Sequence, residues 1–141
     1  MKIILLHGPN LNLIGKISAS LDRRITLDKI NTGIKRHIRN TNTEIKICQT
    51  HKVYQAINFI QRNRNWADGL LFSPMAWAIY EYSILDAIKI SELPTIQLLF
   101  GNQYNNTDEK KSIFTNISIN TIIGSPEKIY IDGIKFFKKL N

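Results

Sequence analysis

The strongest constraint on this chain is an alternation of short apolar runs with stretches of helical spacing. The first run, KIILLH at residues 2–7, is apolar at successive positions rather than at every second one. A strand with one wet face alternates apolar and polar residues. An unbroken run therefore reads as a strand covered on both faces, as in a parallel sheet. EIKICQ (44–49), DGLLF (68–72), TIQLLF (95–100) and a run near 119–123 supply further strands. Between them, TLDKINTGIKRHI (26–38) places Leu27, Ile30, Ile34 and Ile38 at three- and four-residue intervals, with Thr26 as N-cap and despite Gly33 inside it. Helices are also expected over 53–62, near 79–89 and near 126–139, whereas GNQYNNTDEKK from residue 101 reads as a loop or a short polar helix.

Five strands separated mostly by helices imply an α/β fold: a five-stranded parallel sheet with helices on both faces, joined by right-handed crossovers. A length of 141 residues fits a single domain over 1–141, and neither a Pro/Ser-rich linker nor an internal repeat divides it. Ligand sites in such sheets lie beyond the C-terminal strand ends. That puts residues 8–25, 49–52, 73–78 and 101–111 on one rim.

Composition narrows the setting. No apolar stretch is long enough to span a membrane and no signal-peptide pattern opens the chain, so a soluble protein of the cytoplasm or an organellar matrix is expected. The single Cys48 cannot form an internal disulfide and reads as a small buried hydrophobe. The formal charge of +8 favours acidic surfaces. Its carriers, KRHIR (35–39), QRNR (61–64), EKK (109–111) and FFKK (136–139), read first as solvated helix faces. If 35–39, 61–64 and 109–111 formed one stripe, an RNA or protein contact would follow.

HGPNLNLIG at 7–15 follows the first strand. GPN suits a tight turn, and Asn10 and Asn12 offer amide groups at its mouth. The segment has neither the spacing of a phosphate loop nor that of a dinucleotide turn. His7, His37 and His51 lack the accompanying carboxylates or cysteines of a metal site, so no metal is expected. His7 and His51 end neighbouring strands; as a pair they are an acid/base candidate, with structural hydrogen bonding as the plainer alternative.

GPNLNLIG after the first strand resembles the opening of type II 3-dehydroquinate dehydratases. Similar order and spacing continue through TLDKI (26–30), ADG (67–69), SPMAW (73–77), LDAI (85–88) and LPTIQLLFGN (93–102). The resemblance implies a flavodoxin-like fold and trimeric units assembled into a dodecamer. It also implies dehydration of 3-dehydroquinate, in the shikimate or quinate pathways, without metal or organic cofactor. That reaction needs a base for the proton beside the ketone, a means of stabilising the enolate, and an acid for the departing hydroxyl.

The family's proton-transfer positions fall on other residue types here. Its first loop reads x-R-E-P-x-x-Y-G, which puts Ile17 at the arginine and Asp22 at the tyrosine base. Its N-P-x-A-x-T-H-T-S puts Ile79 at a histidine, and its I-E-V-H-x-S-N puts Gln97 at the glutamate and Leu99 at the acid histidine. A later arginine falls near Asn106, and another near Lys110. The positions that match as substrate-pocket remnants are Asn10, Asn12, Ser73, Asp86, Asn102 and Lys110, with Asp86 implied to reach a neighbouring subunit's site.

Two readings follow from the resemblance. One is a catalytically degenerate homologue serving as a structural or interaction subunit, assembled with itself or inside a larger complex. The other is a dehydratase with a rearranged site drawn from Asp22, Arg23 and His51. An apolar pocket floor of Ile17, Ile79, Leu99 and Phe100 is expected on the first; convergence of Asp22, Arg23 and His51 on the second. A third reading makes the basic surface part of an RNA–protein assembly.

Overall fold

The computed structural model describes residues 1–21, 23–101, 104 and 107–140. Strands β1 (Lys2–His7), β2 (Glu44–Gln49), β3 (Gly69–Ser73), β4 (Thr95–Phe100) and β5 (Asn120–Gly124) form one sheet in the order β2-β1-β3-β4-β5. Every neighbouring pair is parallel, with Ile4 opposite both Lys46 and Leu70, and Gln97 opposite Thr121. This is the flavodoxin-like order.

Helices α2 (Leu27–Ile38) and α5 (Ile129–Leu140) cover one face, packing Ile30, Ile34, Ile134 and Phe137 on Ile3, Leu5, Leu71 and Leu98. Helices α3 (Val53–Asn63) and α4 (Tyr82–Ser91) cover the other, packing Ala56, Ile60, Ile84 and Ile88 on Ile4, Leu6, Leu70 and Phe72. The short α1 (Ile14–Ser18) lies in the loop after β1. Ile3, Ile4, Leu5 and Leu6 are all fully buried, which explains the unbroken apolar run: successive side chains point to opposite faces, and both faces are dry. Each such side chain contributes about 1.5–3 kcal/mol of burial free energy.

Thr26 does cap α2, its hydroxyl accepting from the Lys29 backbone N–H at 3.2 Å. Gly33 costs the helix little packing, since nothing lies within 4 Å of where its Cβ would be.

Two helix starts fall later than the spacing suggests. Pro74 initiates a 3-10 turn over Met75–Ile79, so α4 begins only at Tyr82. Likewise the Ser125 carbonyl accepts from Lys128 and Ile129, closing a turn that delays α5 to Ile129. The polar stretch from 101 contains a turn at residues 109–111 in its described part. Cys48 is half-buried rather than buried, on the edge strand β2. No helix among the described residues is long and apolar enough to cross a membrane.

Candidate functional site

The C-terminal strand ends are held together by backbone contacts. Gly8 N–H donates to the Ser73 carbonyl at 2.8 Å, Thr50 N–H to the His7 carbonyl at 3.2 Å, and Gly101 N–H to the Gly124 carbonyl at 3.1 Å. The Gln49 amide reaches the Gly8 carbonyl at 3.2 Å. A Cβ at Gly8 would stand 2.5 Å from the Pro74 carbonyl oxygen and 2.8 Å from that of Ser73, so close approach of two backbones requires glycine there. Two positive-φ residues flank this contact: Asn10 at 68° and Met75 at 53°. Asparagine tolerates the left-handed region; for methionine it is strained, by about 1 kcal/mol.

Beneath the rim lies a buried polar network on the α2/α5 face. His7 Nε2 is 3.0 Å from Asn31 Oδ1, His7 Nδ1 is 3.2 Å from the Tyr130 hydroxyl, and that hydroxyl is 2.8 Å from Ser73 Oγ. His7, Ser73 and Tyr130 are all shut off from solvent. Burial pushes the His7 imidazole down to about 4, against the opposing hydrogen bond from Asn31. The ring is therefore neutral near pH 7. Because Asn31 Oδ1 can only accept, Nε2 carries the proton; Tyr130 then donates to Nδ1 and Ser73 donates to Tyr130. Burial raises the Tyr130 phenol well above its ordinary range, with the Ser73 bond opposing the shift.

On the other face, Gln97 is fully buried and its amide is consumed. Nε2 donates to the hydroxyls of Thr115 at 2.9 Å and Thr121 at 3.1 Å, while Oε1 accepts from Ser112.

A cavity of about 450 Å³ opens at the same end of the sheet, between the loop before α2 and the first turns of α2 and α5. Arg23, Arg24 and Lys29 line it together with Ile30, Glu127 and Tyr130. Arg23 pairs with Glu127 at 2.6 Å, an exposed contact worth under about 1 kcal/mol. Lys29 Nζ donates to the Arg24 carbonyl at 3.2 Å. Three cations against one carboxylate leave the mouth of the cavity positive, and its size suits a small organic anion.

The residues singled out from sequence divide three ways. Asp22, Asn102 and Asn106 lie outside the described residues. Asn10 and His51 do meet on the rim, the Asn10 backbone N–H donating to His51 Nδ1 at 3.1 Å, and Asn12 is exposed nearby. Arg23 reaches the cavity, but its partner is Glu127 rather than His51. Asp86 is exposed on α4 and Lys110 is exposed in the 109–111 turn.

Four expectations need correcting. His7 and His51 do not bond to each other, because His7 turns inward to Asn31 and Tyr130 while His51 turns to Asn10. Ser73 is no pocket group, being spent on Tyr130. The apolar floor does not form: Ile17 and Ile79 are 38% and 56% exposed, whereas Leu99 and Phe100 are buried within the strand layer. The three-segment basic stripe is also absent, because 35–39 belongs to α2 and 61–64 to α3 and its end, on opposite faces of the sheet.

The sequence pointed to Arg24 as a cation next to Arg23 that could turn inward, as it does on the cavity wall, but not to Asn31, Tyr130 or Lys29. Lys29 carried a readable signal, standing in the first turn of α2, where the helix dipole disfavours a cation. Tyr130 sits in an apolar stripe and gave none. Among the described residues, no group of three or more His, Cys, Asp or Glu could hold a metal ion.

The comparisons with known proteins decide the family. The model of the family described as dehydroquinase class II matches residues 1–138. The chain belongs to that family. It is 31% identical over 135 residues to a 3-dehydroquinate dehydratase of Clostridium botulinum, covering 95% of this chain and 92% of that one. It is 33% identical over 125 residues to the protein of that name from Pelotomaculum thermopropionicum, covering 88% and 87%. Among solved structures, the type II dehydroquinase from Butyrivibrio crossotus superposes with a TM-score of 0.85 at 26% identity, over 98% of this chain and 97% of that one. As a dehydroquinase-family chain, it thus keeps the architecture over nearly its whole length.

Proposed function

We propose that this chain dehydrates 3-dehydroquinate in a rearranged site at the rim of β1 and β3, opening on the cavity between α2 and α5. The observation that carries this reading is the cavity itself, a small-molecule-sized space with Arg23, Arg24 and Lys29 at its mouth, in a chain whose curated relatives are named for that reaction. The cations would hold the substrate carboxylate and stabilise the enolate that forms when a proton leaves the carbon beside the ketone. The C–O bond then breaks and the hydroxyl leaves as water with a proton, giving a conjugated enone. His51 is exposed on the rim, its Nδ1 occupied by Asn10, so a proton on Nε2 is available to the leaving group. Asp22, at the position matched to the family's base, would take the proton from the carbon beside the ketone, and Arg23 completes the set expected from sequence.

The test is enone absorbance on mixing purified protein with 3-dehydroquinate. Turnover above solvent background is expected, falling at least about tenfold in Arg23→Gln and in His51→Gln. No turnover above background overturns the reading.

A second reading is favoured by a specific observation: the buried polar groups of β1 and β4 are already spent. Gln97 is held by three hydroxyls and His7 by Asn31 and Tyr130. The substituted family positions carry Ile17, Asp22, Ile79, Gln97, Leu99 and Asn106. On this reading the chain is a degenerate structural subunit, in homo-oligomers of trimeric units up to a dodecamer or within a larger complex. Native mass measurement of an inactive protein in a defined assembly supports it; an inactive monomer opposes it.

A further inference from the structure

The end of the molecule opposite the cavity carries a different feature. Helices α2 and α5 lie on the same sheet face and share one core, so their last turns come together at the N-terminal edge of the sheet. Both last turns are basic. Lys35, Arg36 and Arg39 stand exposed at the end of α2, and Lys135, Lys138 and Lys139 stand exposed on α5. The α5 trio is spaced i, i+3, i+4 and forms one stripe. His37 lies between the two helices, its imidazole pushed down by partial burial and then by the charges of Lys138 and Lys135.

Helix-end cations ordinarily complement the helix dipole. Here that accounts for little, since two helix C-termini supply roughly one negative charge in all, against six cations. None of the six is in an ion pair among the described residues. We propose that this face binds the phosphodiester backbone of a nucleic acid duplex, without base readout, through Lys35, Arg36, Arg39, Lys135, Lys138 and Lys139.

The occupant follows from charge and shape. A second copy presenting the same face would meet it with like charge. An acidic protein segment would need apolar anchors in a desolvated pocket; the recesses lined by Lys138 and by Arg36 each already hold a carboxylate, Asp68 in the first and Asp28 in the second. A duplex offers a regular row of phosphates to a convex helical surface, and releases counterions as they are neutralised. None of the six residues lines the α2–α5 cavity, so the inference is independent of the proposed reaction.

Fluorescence anisotropy of the intact protein with a labelled duplex of about 20 base pairs tests it, at about 50 and 200 mM salt. Binding is expected at the lower salt, weakening by roughly 250- to 1,000-fold at the higher, the consequence of a log–log slope of roughly −4 to −5. Lys135→Gln/Lys138→Gln/Lys139→Gln should weaken binding by at least about tenfold, whereas the equally discharging Arg62→Gln/Arg64→Gln/Lys89→Gln on the opposite sheet face should change it less than about threefold. Circular dichroism confirms that both variants are folded. Equal losses in the two variants, no binding at low salt, or competition by poly-glutamate as strong as by unlabelled duplex would overturn the proposal, the last result pointing to an acidic protein.

Discussion

Two buried polar networks, one on each face of the sheet, differ in kind. On the α2/α5 side, His7, Tyr130, Ser73 and Asn31 join two titratable groups, both held neutral by burial. On the α3/α4 side, Gln97 gathers the hydroxyls of Ser112, Thr115 and Thr121 and has nothing to ionise. The backbones around them differ as well. At the β1–β3 end, Gly8 is pressed against Pro74 and Ser73; at the β4 end, no atom of the described residues lies within 4 Å of a prospective Cβ on Gly101. One side is tight and pH-sensitive, the other looser and indifferent to protons.

The largest test of that contrast is a pair of alanine substitutions. Gly8→Ala must push apart two backbone carbonyls and should cost about 3 kcal/mol in urea unfolding, while Gly101→Ala should stay within about 0.5 kcal/mol. Comparable losses at both positions would erase the distinction.

Acid titration separates the networks next. The folded His7 value of about 4 lies below the ordinary value of 6.5. Its contribution is complete above pH 6.5, where neither state is protonated. As pH falls from 6.5 toward 4, only the unfolded chain takes up the proton, and about 3 kcal/mol is lost in all. His7→Gln should flatten that slope in a series of denaturation curves. At the alkaline end the raised Tyr130 phenol works the other way, so stability should decline once the unfolded phenol ionises, and Tyr130→Phe should remove the decline.

Gln97→Leu probes the opposite side. Three hydroxyls lose partners, for about 2 kcal/mol, and the loss should be the same at pH 5 and pH 8. A pH-dependent loss would link the two networks across the sheet. The smallest expected effect is Thr26→Ala, about 1 kcal/mol from the lost N-cap of α2, the helix that carries Asn31 to His7; thermal melts resolve it.

Most of the fold was legible because periodicity reports burial directly. KIILLH and TIQLLF became β1 and β4, and EIKICQ, alternating Glu44 and Lys46 with Ile45 and Ile47, became the edge strand β2, all with their expected bounds. Helix starts were less legible: the Pro74 turn and the Ser125 turn are set by local backbone hydrogen bonds that no spacing of apolar residues records. In the site, Asn10 and His51 were legible as rim residues because topology alone puts strand ends together. The direction of His7 was not, because it depends on Asn31 and Tyr130, lying 24 and 123 residues away. Nor was the cavity, which arises from how two helix starts splay rather than from any single motif.

The span between His7 and Tyr130 bears on the order of assembly. A chain in which β1 to β4 have paired but α5 has not yet docked leaves the His7 ring without Tyr130 and open to water, so at pH 6 much of it carries a proton. Docking of the last helix must then expel that proton into solvent. Burial of His7 by the last helix is in this sense an acid–base event, so refolding in mildly acidic buffer should be accompanied by a measurable release of hydrogen ions.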